Sequence, residues 1–294
     1  MRITRRALLA APLATAATKP AVRLSIGTYG MQTLPVDQAI QEIRKIGYDG
    51  AELCLMQGWP SEPSKLDSAA RKRIRATQFP IPSMIENFNL LVSDEVHRAT
   101  LNRIRAAAAL AHDLAPKAPP VLQSVLGGKP QEWEQVKTRM AERLTDWARV
   151  ASENHIIMTV KSHISSASDT PGKLIWLLDQ VSSPALNGIY DYGHFELLGI
   201  DMEKSLDLLL PRSQFITVKD GALVNGSPRF MLPGEGTIDY RRYCAKVKAM
   251  KWCGWMLVEV SRQLQTVGGY DPLAAAIKSY SHLAPILRNA GLRT

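Results

Sequence analysis

Between residues 22 and 290, short β-branched or apolar runs alternate with longer stretches of helical periodicity, and the alternation repeats eight times. The expected strands are residues 22–27, 51–55, 81–86, 120–125, 156–161, 188–192, 215–219 and 255–260. The expected helices lie near 36–46, 64–77, 94–112, 131–153, 171–181, 202–210, 239–250 and 272–290, several of them opened by Asp, Ser or Pro as caps. Strands that are apolar throughout are buried on both faces, which requires a parallel sheet covered by helices. Eight such units predict an α/β fold of the closed (β/α)8 type in preference to an open doubly wound sheet. The hydrophobic content of 46% suffices for one large core, and no Pro-rich, Gly/Ser-rich or charge-block linker interrupts residues 18–294, so one domain is expected there. The stretch 221–236, GALVNGSPRFMLPGEG, is expected to be a long loop acting as a lid or mouth element.

Residues 1–17, MRITRRALLAAPLATAA, read differently from the rest. A basic start, an apolar stretch from Ala7 to Leu13 and the A-x-A pattern Ala14-Thr15-Ala16 have the layout of a cleavable export signal. Thr4-Arg5-Arg6 followed by Leu8-Leu9 resembles the twin-arginine signal, which exports proteins already folded. The stretch is far below the roughly 20 residues of a membrane-spanning helix. The expected location is the bacterial periplasm or the exterior, after cleavage near Ala16 or Ala17.

The net charge of +9 falls to +6 without the three arginines of residues 1–17. Lys and Arg are scattered along the chain, with no stripe of interleaved aromatics, so nucleic-acid binding is not expected. Cys54, Cys244 and Cys253 lack C-x-x-C spacing, which argues against a thiolate zinc site and a complete disulfide set; they are expected to be buried thiols. No G-x-G-x-x-G or G-x-x-x-x-G-K-[ST] loop supports a nucleotide cofactor.

In a parallel barrel the active site forms at the carboxyl ends of the strands. This chain places Glu52 on its second expected strand, Glu86 at the end of the third, Lys161 and His163 at the fifth, Asp191 and His194 at the sixth, Lys219 and Asp220 at the seventh, and Glu259 in the eighth. Charges inside apolar strands are costly unless paired or bound, so a site converging from the last four strands is expected.

The segments IGYDGAELCL (46–55), YDYGHF (190–195), TVKD (217–220), PGEGTIDY (233–240), LVEVS (257–261) and GYDPLAAAIKSY (269–280) resemble, in order and spacing, the xylose isomerase-like, or sugar phosphate isomerase/epimerase, barrel family over about residues 22–290. The resemblance implies a TIM barrel and proton abstraction next to a carbonyl of a carbohydrate or polyol. It also implies a divalent metal held by a Glu, an Asp, a His and a second Glu from the last four strands. Asp191 and Glu259 match two of those ligands, while Lys161 and Thr217 stand where the other two belong. A Lys161 ammonium and a metal would compete for the same carboxylates, so the expected cofactor is none, with manganese, cobalt, zinc or magnesium reserved for a rebuilt site.

The resulting expectation assigns proton transfer to Glu259, the metal's positive charge to Lys161, orientation of Lys161 to Asp191, and substrate contacts to His163, His194, Lys219 and Glu86, with Glu86 also a replacement acid. Each has a plainer reading. Lys161, Asp191 and Glu259 could form a purely structural ion group, the two histidines could be hydrogen-bonded wall residues, and Lys219 with Asp220 could be either a ligand-facing pair or a strand-end salt bridge. Glu52 and Glu86 could contact a long substrate or cap their strands, and Glu235 could face the mouth. Trp59, Trp176, Trp252 and Trp255 offer stacking faces or packing equally. Two alternatives stand beside an isomerase or epimerase: a non-catalytic carbohydrate-binding pseudoenzyme, and a lyase using the Lys161 amine. DNA endonuclease activity, found on the same barrel, needs a larger set of metal ligands. The expected partner is a small carbohydrate, and homo-oligomer formation is left open.

The signal assignment is checked by expressing the full chain in a bacterial host and weighing the exported product. The expected product begins after Ala16 or Ala17, and an Arg5→Lys, Arg6→Lys variant accumulates uncleaved in the cytoplasm. Export that survives this change removes the twin-arginine assignment.

Overall fold

A computed structural model describes residues 22–294, so the expected export signal at residues 1–17 lies outside the described residues. Ten strands run as β1 (Val22–Gly27), β2 (Gly50–Cys54), β3 (Ser83–Ile85), β4 (Val121–Ser124), β5 (Met158–Lys161), β6 (Leu186–Asp191), β7 (Ser213–Val218), β8 (Asp220–Val224), β9 (Ser227–Met231) and β10 (Gly254–Val258). Ten α-helices accompany them: α1 (Val36–Ile46), α2 (Ser68–Ala76), α3 (Asp94–Leu114), α4 (Trp133–Glu153), α5 (Pro171–Val181), α6 (Tyr192–Glu196), α7 (Met202–Leu209), α8 (Tyr240–Ala249), α9 (Arg262–Gln265) and α10 (Pro272–Asn289). Strands β1 to β7 and β10 form a closed parallel barrel, sealed where β1 pairs with β10 from Val22 opposite Gly254 to Ile26 opposite Val258. This is the (β/α)8 architecture that the eightfold alternation predicts.

The helices start where short polar side chains can accept a free backbone N–H. Asp67, Ser93, Thr170, Asp201, Asp239 and Asp271 each cap the helix that follows, and Gly47 closes α1 at φ 110°, a conformation costly for residues with a Cβ. Most of the core lies between strands and helices, with Leu24, Ile40, Leu53, Leu122, Trp147 and Val160 among its fully buried members.

Inside the barrel the side chains fall into tiers, because alternate residues of a strand share a face. At the amino-terminal end Val121, Ile189, Phe215 and Leu257 make a separate apolar cluster. Two residues further along their strands come Gln123, Asp191, Thr217 and Glu259, all buried. The sequence that closes the barrel with an apolar plug therefore lifts the polar positions to its carboxyl end.

Residues 220–231 are not a loop. Strands β8 and β9 form an antiparallel hairpin, from Asp220 opposite Met231 to Val224 opposite Ser227, lying outside the barrel. Asn225 and Gly226 turn it with φ of 51° and 74°. Asn-Gly between apolar residues is the signature of such a two-residue turn. Asp220 is also not the partner of Lys219. Its carboxylate accepts from the backbone N–H groups of Gly221, Gly234 and Ile238 at 2.9, 2.9 and 3.2 Å, tying the hairpin base to the PGEG turn. Glu235 turns away from the barrel mouth, accepting from Leu232 N–H and pairing with Lys278. Cys54 and Cys244 are buried but Cys253 is exposed, because it precedes β10 in the turn after α8. Among the described residues no helix is long and apolar enough to cross a membrane.

A Cβ at Gly236 would sit 2.5 Å from the Gly221 carbonyl oxygen and against the Asp220 carboxylate. Gly236→Ala is therefore expected to cost about 1–3 kcal/mol through overpacking and to lower the melting temperature by several degrees in a circular dichroism scan. An unchanged melting temperature contradicts the role given to Asp220.

Candidate active site

Four charged residues meet at the carboxyl end of the barrel. Lys161 ends β5, Asp191 ends β6, Lys219 directly follows β7 and Glu259 directly follows β10. Lys161 Nζ lies 3.1 Å from Asp191 Oδ2 and 2.5 Å from Glu259 Oε2. Lys219 Nζ lies 2.8 Å from the same Asp191 oxygen and 2.6 Å from Glu259 Oε1. Each ammonium thus bridges both carboxylates, and the group is formally neutral. All four residues are at least nine-tenths buried, so each charge relies on the others for solvation.

The electrostatics follow from this geometry. Burial pulls the Lys161 ammonium down, but the Glu259 and Asp191 carboxylates outweigh it and hold the group above the ordinary lysine value. Burial pushes Glu259 up, yet Lys161 and Lys219 bring it down to about 2, and the same two cations lower Asp191 against its own burial. The two histidines are pushed the other way. Burial, with Lys219 and Lys161 nearby, lowers His163 to about 4, and burial together with Lys219 holds His194 well below the ordinary histidine value. Both rings are neutral at pH 7 and lie in contact at 4.1 Å between centroids, tilted by 48°. His163 Nδ1 accepts from the Ser165 backbone N–H at 3.2 Å, which leaves the ring proton on Nε2.

A cavity of about 370 Å³ opens over this group, with Tyr29, Glu86, Asn87, Lys161, His163 and Glu259 on its wall. Of the residues expected to touch substrate, His163 and Glu86 reach the cavity while His194 and Lys219 do not. His194 is fully buried between His163 and Phe230 of the hairpin, and Lys219 lies behind Glu259 with its ammonium 5.2 Å from the Phe230 ring. Lys219 acts instead as a second counter-ion. Its position shares the barrel-facing parity of Thr217, two residues earlier, and that parity is the signal for it in the sequence. Tyr29 and Asn87, which no charge or motif singles out, also line the cavity; each follows a strand, where a barrel presents its mouth.

Glu86 carries a second charge pair on the opposite side. Its carboxylate lies 2.5 Å from Arg103 Nη2, yet burial outweighs Arg103 and pushes it up to about 7. Glu52 lies within the barrel, away from that cavity's wall, where it accepts from Ser83 Oγ at 2.8 Å and from Gln123 Nε2; burial raises it to about 7 as well. Among the tryptophans only Trp59 faces the mouth. Trp176 packs edge-on against Trp133, Trp255 lies under Arg23 at the amino-terminal end, and Trp252 packs beside Gly254.

The donor set does not suit a divalent cation. Both carboxylates are already bonded to two ammonium groups, and among the described residues no three His, Cys, Asp or Glu side chains converge as ligands.

The raised carboxyl of Glu86 sets a direction for stability. A group at about 7 in the folded chain and 4.5 when free contributes stability below 4.5, which is lost as pH rises through about 7. Thermal melts from pH 5 to pH 8 are expected to show a smaller fall for Glu86→Gln than for the wild type. Identical slopes would mean that the Glu86 carboxyl titrates normally.

The family described as xylose isomerase-like TIM barrel matches residues 40–286. An inosose dehydratase of Geobacillus kaustophilus is 24% identical over 281 residues, covering 84% of each chain. Among solved structures, the protein named IOLI with a bound zinc atom aligns at a TM-score of 0.75 and 14% identity, over 91% of this chain and 99% of that one. The 3-keto-D-glucoside 4-epimerase YcjR of E. coli aligns at 0.69 and 13% identity, over 90% and 99%. At these identities the solved structures establish a shared fold. With the closed barrel and its strand-end site, the match over 40–286 places the chain in the xylose isomerase-like TIM barrel family.

Proposed function

We propose that this chain is an exported enzyme that removes a proton from the carbon next to a carbonyl of a carbohydrate or polyol, with a lysine ammonium in the place of a divalent cation. The observation that carries this reading is one cavity holding both a buried ammonium, Lys161, and a carboxyl near neutrality, Glu86. Its coarser part is supported by similarity to inosose dehydratases at 24% identity.

The chemistry needs a base with a pKa near the working pH and a positive group for the oxygen that gains charge. Glu259, first assigned proton transfer, is a weak base at about 2. Its work is to keep Lys161 charged and in place, together with Asp191. Glu86 takes the proton, Lys161 Nζ stabilises the enolate oxygen, and His163 Nε2–H donates to a hydroxyl. The proton then returns to the neighbouring carbon while the hydroxyl proton moves to the former carbonyl oxygen, returns to the other face of the same carbon, or passes from Glu86 to a departing β-hydroxyl that leaves as water, which gives isomerisation, epimerisation or dehydration. A Schiff base at Lys161 is disfavoured, because it needs a neutral amine and the two carboxylates oppose one.

The test is solvent exchange followed by NMR in D2O with a panel of ketoses and inososes. The expected result is deuterium uptake next to the carbonyl that survives a metal chelator, with a fall of about 100-fold or more for Glu86→Gln and for Lys161→Met. Loss of exchange on chelation overturns the metal-free mechanism. Saturable binding without exchange makes the protein a carbohydrate-binding pseudoenzyme, and a borohydride-trapped adduct on Lys161 makes it an amine-dependent lyase.

A further inference from the structure

A second cavity of about 520 Å³ adjoins the first, and the two share Tyr29, Met56, Glu86, Asn87 and Asn89. The two cavities therefore border the same side chains and lie next to each other at the barrel mouth. The inner cavity by itself reaches the lower end of the roughly 300–1,000 Å³ range of small-molecule sites, so one sugar ring suffices to occupy it. The outer cavity is then space that a monosaccharide leaves unused.

The outer cavity has two kinds of wall. Trp59, Phe88, Val92 and Val96 are apolar, and Val96 is 49% exposed. Facing groups include Thr100, Arg103 and Arg262. A pyranose ring has the same division, with apolar C–H faces and a rim of hydroxyls. The Trp59 indole is held in place: its Nε1–H donates to the Tyr29 carbonyl at 3.0 Å, and its ring lies 5.5 Å from the Tyr29 ring at 17°. Arg262 lies 5.7 Å from the Trp59 ring and is held through Nη1 by the Gln32 and Gln265 side-chain oxygens, with no carboxylate partner among the described residues. Its remaining donors are available to hydroxyl oxygens. Glu86 lines both cavities, and Arg103 reaches it from the outer one.

We infer that the outer cavity is a subsite for the second ring of a neutral glycoside, so that the substrate class is a two-ring carbohydrate whose reacting ring occupies the inner cavity. This deepens the carbohydrate reading above and rests on it. Trp59 and Arg262 then determine specificity, and neither takes part in proton transfer.

Isothermal titration calorimetry with D-glucose and with cellobiose, maltose, trehalose and gentiobiose tests this inference. The expected result is that at least one disaccharide binds tenfold or more tighter than glucose. Trp59→Ala and the exposed Arg262→Ala each remove most of that advantage while glucose affinity stays within about twofold, and thermal melts confirm that both variants fold. Disaccharides that bind no tighter than glucose, or not at all, overturn the inference, as does an equal loss for both ligands in the two variants. Binding is read without turnover, so a lost disaccharide advantage alongside intact solvent exchange removes the subsite alone. A retained advantage without exchange removes the proposed chemistry alone.

Discussion

Two ammonium groups and two carboxylates are buried together, and the carboxyl end of the barrel is organised around that fact. A single buried charge costs several kcal/mol, and a buried pair returns that cost only with good geometry and further hydrogen bonds. Here each carboxylate bonds two ammonium groups at 2.5–3.1 Å, so the four charges supply one another's solvation. The same arrangement lowers Glu259 against its burial and adds to the burial that lowers both histidines, because every cation near them stabilises an anion and disfavours another cation.

The fold supplies what such a group requires. Strands β5, β6, β7 and β10 are neighbours in the closed sheet, so the residues ending or directly following them converge from four directions at one height. The apolar tier of Val121, Ile189, Phe215 and Leu257 seals the opposite end. The hairpin adds Phe230 over His194 and Lys219, and the three backbone bonds accepted by Asp220 hold the hairpin to the barrel. Cavity, charge group and cover are thus parts of one packing solution.

On the other half of the mouth Glu86 has a different balance. Its one cation, Arg103, is only partly buried and cannot offset the loss of water, so the carboxyl stays near neutrality while Glu259 is driven low. Two carboxylates on one cavity therefore have separate properties, set by the number and burial of the cations beside them. Such separation is how a site assigns acid–base work to one group and a fixed charge to another.

Much of this was legible in the chain. The eightfold alternation sufficed for the barrel, since period and length of apolar runs are local properties, and β1, α1 and α5 match their expected bounds to the residue. The charges of Lys161, Asp191 and Glu259 were visible because they interrupt or close apolar strands. The hairpin at 220–231 carries its Asn-Gly turn in the sequence, but its strands are too polar to resemble barrel strands. What only the tertiary structure decided is pairing and depth. Lys219 turns to Asp191 and Glu259 instead of to its neighbour Asp220, His194 is buried while His163 reaches the cavity, and Glu86 rather than Glu259 keeps a carboxyl near neutrality. These outcomes depend on distances between residues 17 to 98 positions apart in the chain, and a pKa or an ion pair is set by the groups that surround it in space.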